Sequence, residues 1–379
     1  MARKNKIIFT GGGTGGHVFP LVSIIREIKK TLPENLLEMH YIGPKEDIAR
    51  DYIEKEGVNV KYIYAGKLRR YFTALSFLQN ITDILFKVPL GILQSSFYIF
   101  KESPDLVFSK GGYGSLPAVI SAYIFRVPIF FHESDIAPGM TNRILQKLAV
   151  EVFTSFQDTE NVDKQKMINV GNPIREGVTG GSKEKGIEMF SLSREKPVIL
   201  VIGGSQGSER INDLILSMLV DMLEHFEVIH QCGVGNIKKV SNEADAIIAS
   251  KEKRKYYHVY SFFTEREIKE AYAVADLVIS RAGSGSIFEI SANKKPSILL
   301  PLPEAAQNHQ LKNAYYYAES GRAIVLEENN LTPHFFLEKV KQLFSPVEQL
   351  RVMGERAGEF YQPKSAKIIA AYIKEYLRR

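Results

Sequence analysis

The sequence has 379 residues, 45% of them hydrophobic and 24% charged, enough apolar material for two or three globular cores and too much for a disordered chain. A formal net charge of +6 at pH 7 suits a phosphorylated ligand, an anionic membrane surface or nucleic acid, and chooses none of them. The single cysteine, Cys232, excludes an internal disulfide and a cysteine-based zinc site and fits a reducing compartment.

The opening run MARKNKIIFTGGG lacks the long apolar stretch of a secretory signal. Lys6–Thr10 reads as a strand. The loop after it carries five glycines in six residues, Gly11 to Gly16, before His17 and a periodic apolar run over Pro20–Lys30. Gly11, Gly13 and Gly16 match G-x-G-x-x-G, but a dinucleotide site also needs an acid at the end of the second strand. That strand, Leu36–Ile42, runs into Gly43-Pro44-Lys45 with no acid, and no Gly-Lys-Ser/Thr marks a P-loop. What remains is a backbone cradle for an anion at a helix N-terminus, or else a tight turn.

A third strand is expected over Val58–Tyr64. The Leu-, Ile- and Phe-rich segment Tyr71–Phe100 follows, interrupted by Asn80, Asp83, Lys87, Pro89 and Gln94, with Lys67, Arg69 and Arg70 before it and Lys101 after it. Its charge-free runs are too short to span a bilayer. Amphipathic helices on a core and a membrane-touching face both fit. Strand Leu106–Ser109 leads into Lys110-Gly111-Gly112-Tyr113-Gly114, a second glycine turn at a strand end. Strand Ile129–His132 leads into Glu133-Ser134-Asp135, and Val152–Thr154 closes the first set.

The second half repeats the grammar. Pro197–Ile202 runs into Gly203-Gly204-Ser205-Gln206-Gly207-Ser208 and a helix over Glu209–Leu223. Strands follow over Glu227–Gln231, Tyr257–Tyr260, Leu277–Ser280, Ser297–Pro301 and Ala323–Leu326, with a helix over Glu265–Ala275. The Leu277–Ser280 strand ends in Arg281-Ala282-Gly283-Ser284-Gly285-Ser286, where small residues suit a phosphate at a helix start. Glu289 lies one turn on, and amides in Pro303–Gln310 suit sugar hydroxyls. Alternating strands and helices predict an α/β fold of two tandem Rossmann-like, doubly wound parallel-sheet domains. The polar stretch Gln157–Gly171 is the expected join, giving domains of 1–163 and 164–349, with closing helices over 350–379 returning to the first. No Asp-x-Asp occurs, so a leaving diphosphate is expected to meet helix dipoles and backbone N–H groups rather than a metal held by paired carboxylates.

The segments GGGTGGHVFP, GGYGSLPA, HESDIAPGMTNRIL, GNPIRE, GGSQGSERIN, ADLVISRAGSGSIFEI and HQLKNA, in that order and spacing, resemble the MurG family of bacterial glycosyltransferases. The resemblance implies the GT-B fold, two Rossmann-like domains facing a cleft. It implies inverting transfer of N-acetylglucosamine from UDP-GlcNAc to the muramyl 4-hydroxyl of lipid I, making lipid II for peptidoglycan. It places the protein peripherally on the cytoplasmic face of the cell membrane, with UDP-GlcNAc, lipid I, an anionic membrane surface and a cell-wall synthesis complex as partners, no nucleic acid and no obligatory protein-bound metal.

By the same resemblance, Phe263 offers its backbone to uracil and Glu289 holds the ribose diol. Ser205 and Ser284, Gly285 and Ser286 meet the phosphates, and Gln310 and Asn313 read the sugar. Arg175 and Thr14, Gly15 and Gly16 complete the donor site across the cleft. The acceptor pyrophosphate falls to Gly12, Gly13, Gly111, Gly112 and Tyr113. His17 is the first candidate for the base that takes the acceptor proton, since a free imidazole titrates at about 6.5. Glu133 is the second, and a hydrogen-bonding role for His17 is the third. The family's common HEQN reads HESD here, so Asp135 replaces an amide that contacts the donor. Leu68–Phe100 matches only in character, and Gly285 stands where a larger residue is usual. A UDP-GlcNAc 2-epimerase shares the fold and is the nearest rival. A nicotinamide oxidoreductase and a non-catalytic sugar-nucleotide sensor are rivals of other classes.

Overall fold

The computed structural model describes residues 4–12, 15–45, 52–67, 74–204 and 206–378. The chain forms two compact units, Met1–Ile174 with Lys364–Arg379, and Arg175–Pro363. Each is built on one all-parallel sheet, as the alternating strand and helix runs predict.

The first unit holds β1 (Asn5–Thr10), β2 (Leu37–Pro44), β3 (Asn59–Ile63), β4 (Leu106–Ser109), β5 (Ile129–Glu133), β6 (Glu151–Thr154) and β7 (Met167–Asn169). Their order is β3-β2-β1-β4-β5-β6-β7. Side chains alternate across β1. Ile7 and Phe9 join Val18, Leu21, Ile25, Phe108 and Phe153 on one face, while Ile8 joins Val107, Val119, Phe131 and Val152 on the other. The last helix, Ser365–Tyr376, completes this unit. Its Ile369 and Ile373 pack into the Phe9 side of the core.

The second unit holds β8 (Val198–Ile202), β9 (Glu227–Gln231), β10 (Tyr257–Tyr260), β11 (Leu277–Ser280), β12 (Ser297–Leu299) and β13 (Ile324–Val325), in the order β10-β9-β8-β11-β12-β13. Both sheets reverse their winding beside their first strand, at β1/β4 and at β8/β11. Open α/β sheets bind ligands at such switch points, beyond the carboxyl ends of the strands. Four of the glycine-rich stretches singled out in the sequence stand there: those after β1, β4, β8 and β11.

Three sequence expectations shift. The join between units falls after Ile174 rather than at 163. The first of the closing helices, Val347–Phe360, stays with the second unit. Gly354 lets it approach closely, since a Cβ there would sit 2.6 Å from the Lys294 carbonyl oxygen. Ser291 Oγ donates to the Ala357 carbonyl at 2.6 Å, and Phe360 packs on Phe288 with ring centroids 5.1 Å apart. The helix expected over Glu209–Leu223 is two helices, Glu209–Ser217 and Leu219–His225, because Met218 leaves helical dihedrals (φ −120°, ψ 11°).

Candidate functional site

In the first unit the loops after β1 and β4 lie against each other. The Lys110 N–H donates to the Thr10 carbonyl at 2.8 Å. Gly112 adopts φ +83°, and a Cβ there would fall 2.8 Å from the Gly12 carbonyl oxygen and 3.3 Å from His17 Nε2. Only glycine fits that position without displacing the Gly12 carbonyl. Gly111, at φ +80°, leaves room in the same way for the Asn142 amide. His17 lies in the first turns of the helix Gly15–Thr31 and is partly exposed. Gly15 is buried there and Gly16 exposed. Pro20 sits inside this helix rather than opening it. Tyr113 begins a short turn into the helix Leu116–Ile124, with Lys67 Nζ 6.0 Å from its ring centre. Gly13 and Thr14 lie outside the described residues.

Glu133 is held differently from an exposed base. It is 2% exposed. Its Oε1 accepts from the Asp135 N–H at 3.0 Å and its Oε2 from Asn142 Nδ2 at 2.8 Å, while Asn142 Oδ1 accepts from the Gly112 N–H at 2.9 Å. The carboxylate thus fixes the glycine turn through one amide. Burial, and after it the charge of Asp135, raises its pKa above the usual carboxylate range. Two members of this cluster, Lys110 and Asn142, were absent from the sequence candidates. Lys110 is 1% exposed, and its ammonium donates to Ser134 Oγ. Burial lowers its pKa to about 8, against the pull of Glu133 and Asp135. His132 is fully buried, and burial with the Lys110 charge keeps it neutral. Its Nε2 lies 3.2 Å from the Gly171 carbonyl oxygen, so that nitrogen carries the proton. The signal for Asn142 was its place at the start of a helix just beyond the β5 loop. Lys110 gave no signal, because a lysine beside a glycine turn reads as solvent-exposed.

In the second unit the helix Ser284–Ala292 begins at Gly283, where no side chain caps it. Among the described residues, a Cβ on Gly283 or Gly285 would meet nothing within 4 Å, and Ser284 Oγ is buried without a hydrogen-bond partner. This helix start is therefore open, and its N–H groups and dipole suit an anion. Ser284 and Ser286 lie in its first turn. Beside it, Gly207 (φ +78°) allows the β8 loop to touch the Cys232 carbonyl, which would lie 2.2 Å from a Cβ. Arg281 is engaged by protein groups. Its Nη2 donates to Ser208 Oγ at 2.7 Å, and its Nη1 to the Leu300 carbonyl at 3.0 Å and to Glu328. Ser205 lies outside the described residues.

The remaining donor candidates carry partners that sequence alone did not reveal. Arg175, expected to reach the donor across a cleft, belongs to the same unit as Glu289. Its Nε and Nη2 donate to Oε1 and Oε2 of Glu289, both at 2.7 Å. Both are largely buried; burial works against the guanidinium charge, and Glu289, together with Tyr272 and Glu265, outweighs it and keeps Arg175 charged. A ribose at Glu289 must therefore share the carboxylate with Arg175 or displace it. The Phe263 N–H donates to Gln231 Oε1 at 3.2 Å, and its ring is buried against Phe190 and Tyr260. Asn313 is fully buried and donates to the Ala282 carbonyl at 3.4 Å. Gln310 Oε1 accepts from the Leu302 N–H at 3.0 Å. Asn313 and Gln310 thus brace the β11 and β12 loops. Ahead of them Gln307 and Asn308 both take φ +55°, a strained pair at the mouth of the helix His309–Ala318.

Against the expectation that its charge-free runs are too short to span a bilayer, the apolar segment of the first unit forms a helix over Leu78–Glu102, with a π-helical turn at Asp83–Lys87, that is long and apolar enough by length and composition to cross a membrane. Asp83 does not break it. Its side chain is buried, accepting from the Lys67 N–H at 3.1 Å and pairing with Lys87 at 2.6 Å. Leu85, Phe86, Leu93, Phe97 (63% exposed) and Phe100 (71%) face outward. Tyr123 and Ile124, on the neighbouring helix Leu116–Ile124, and Phe125 after it are exposed as well. Arg69 and Arg70 lie outside the described residues. One potential ion-binding group stands among the described residues, Glu38, His40 and Glu102. It lies at the opposite end of the sheet from the glycine loops, and Lys6 already approaches both carboxylates at 3.8 and 3.6 Å.

Residues 7–154 match the glycosyltransferase family 28 N-terminal domain and residues 198–369 the family's C-terminal domain. A Clostridium tetani protein named UDP-N-acetylglucosamine–N-acetylmuramyl-(pentapeptide) pyrophosphoryl-undecaprenol N-acetylglucosamine transferase is 40% identical over 91% of this chain and 92% of its own. The chain belongs to the MurG family. A Clostridium botulinum protein of the same name is 36% identical over 98% of this chain and 99% of its own. In fold, the chain is similar to the crystal structure of Acinetobacter baumannii MurG, with a TM-score of 0.72 and 21% identity over 98% of this chain and 99% of that one. It is also similar to a Neisseria meningitidis UDP-GlcNAc 2-epimerase, with a TM-score of 0.65 and 14% identity over 98% and 100%. The paired parallel-sheet units are those of the GT-B fold, and the family makes the chain a hexosyltransferase.

Proposed function

We propose that this MurG-family protein moves N-acetylglucosamine from UDP-GlcNAc to the muramyl 4-hydroxyl of lipid I. The observation that carries the reading is the likeness to the clostridial transferases over nearly the whole of both chains. The second unit takes the donor, its diphosphate at the open start of helix Ser284–Ala292 and its ribose at Glu289. The first unit takes the acceptor, its pyrophosphate at the backbone of Gly12 and Gly13 and of the Gly111–Gly112 turn beside Tyr113. His17, against Gly112, removes the proton as the acceptor hydroxyl attacks the anomeric carbon in line and UDP departs with inversion. Glu133 is better suited to holding Asn142 than to taking that proton, since both its oxygens already accept hydrogen bonds.

The acceptor carries a lipid tail, and the outward apolar face of helix Leu78–Glu102 is the surface suited to meet the bilayer that holds it. On this reading the protein works peripherally on the cytoplasmic face of the membrane, in peptidoglycan assembly and the cell-wall growth and division it serves. Radiolabelled UDP-GlcNAc, incubated with and without a lipid I analogue, tests the reading. Label should enter the lipid only with acceptor present. Conversion of UDP-GlcNAc to its 2-epimer without acceptor would replace this reading with that of the epimerases.

A further inference from the structure

The polar cluster behind the glycine turns of the first unit contains one charge that the proposed reaction does not use. Lys110 leaves β4 at the switch point and is buried. Its ammonium donates to Ser134 Oγ, which in turn reaches Asn172 Oδ1 at 3.5 Å. The carboxylates acting on it are Glu133 and Asp135, and the third titratable neighbour, His132, is neutral. A buried ammonium is costly unless it meets a negative charge. The charge of Asp135 acts on the buried Glu133 carboxylate, and without a cation such repulsion favours a proton on one of them. Glu133 is the group for which that proton matters. As a carboxylate it grips the Asp135 N–H and the Asn142 amide together, and Asn142 holds the Gly112 N–H. A proton on either oxygen replaces an acceptor with a donor facing a donor.

We infer that Lys110 is a positioning residue whose ammonium balances Glu133 and Asp135, keeping Glu133 in the ionised grip on Asn142 that sets the Gly112 turn. The inference rests on the proposed reading of the first unit as the acceptor side, so the test begins with the full-length parent. A parent that transfers no label to the lipid I analogue overturns that reading and this inference with it.

With an active parent, Lys110→Met should raise the acceptor KM about tenfold or more while the Kd for UDP-GlcNAc stays within about threefold. Adding Asp135→Asn removes the second carboxylate charge with little change of shape. The double variant should then return to within about threefold of Asp135→Asn alone. Packing lost with the lysine would not be regained by neutralising a neighbour, so this rescue separates charge balance from a merely structural role. Thermal unfolding of the same variants covers the case in which Lys110→Met does not fold. The double variant should then regain both the fold and transfer. An unchanged acceptor KM in folded Lys110→Met, or a double variant no better than the single one, overturns the inference.

Discussion

The two units share a scaffold and differ in where they keep their charges. Each places its glycine loops at a switch point, after β1 and β4 in one and after β8 and β11 in the other. In the first unit Lys110, Glu133 and Asp135 cluster behind the loops, and a buried carboxylate fixes the Gly112 turn through Asn142. In the second, the charged side chains near the loops are paired with one another, Arg175 with Glu289 and Arg281 with Glu328. What it leaves open, among the described residues, is a helix start, with space beyond Gly283 and Gly285. On the proposed reading, one scaffold then offers two ways of meeting a phosphate. The first braces a loop from behind with a buried charge network, and the second presents an uncapped helix dipole.

The largest expected effect tests whether the chemistry sits with the first unit. His17→Ala should lower kcat by roughly 10²–10⁴ and leave UDP-GlcNAc binding nearly intact. The acidic limb of the pH–rate profile should vanish with it. A near-normal kcat would make the β1 loop a binding element only.

Next in size is the ion pair of the second unit. Glu289→Ala should cost about ten- to hundredfold in kcat/KM for the donor, from lost charge-assisted hydrogen bonds worth roughly 1.5–3 kcal/mol. Discrimination against a 2′-deoxyribose donor should shrink in parallel. Arg175→Ala separates the two roles open to Glu289. If Arg175 must be displaced for the ribose to bind, the donor KM falls. If it orients the carboxylate, the donor KM rises and 2′-deoxy discrimination weakens as in Glu289→Ala. An unchanged donor KM and unchanged discrimination in both variants would remove the pair from the donor site.

A smaller effect concerns the apolar helix face of the first unit. Replacing Phe97 and Phe100 by Ser removes two exposed aromatic rings and about 3–6 kcal/mol of available apolar burial at most. Binding to anionic vesicles should weaken, measured by co-sedimentation, while turnover of a short-tailed soluble acceptor stays near the parent's. Equal sedimentation of variant and parent would move the membrane face elsewhere.

The smallest expected change is with EDTA. A diphosphate stabilised by the helix start and by backbone N–H groups needs no protein-bound ion, so most activity with a soluble acceptor should persist. Complete loss, restored by one metal alone, would place an ion at the second unit's loops and break the contrast drawn between the units.

The fold was legible because its signals are local. Lys6–Thr10 and Pro197–Ile202 read as strands before glycine turns from composition alone, and β1 and β8 lie there. Glycines at 111, 112, 204 and 207 marked backbone at positive φ, which glycine adopts most readily. Helix ends were less legible. Met218 divides a continuous apolar period, and Gly354 commits Val347–Phe360 to the second unit by a close approach to Lys294 that no period in the sequence records.

The sequence by itself determined which strands would be parallel and covered, where the glycine loops would stand, and that the family's motifs occur in order. Those properties depend on neighbours a few residues apart. Only the tertiary structure decided what the charged residues do. Arg175 and Glu289 are 114 positions apart in the chain yet meet at 2.7 Å. Lys110 and Ser134 come from consecutive strands whose spacing in the sheet, not in the chain, sets their contact. An ion pair is favourable only at a few ångströms and in a dry site, and both conditions are created when β4 and β5, or the helix bearing Glu289, are packed into place.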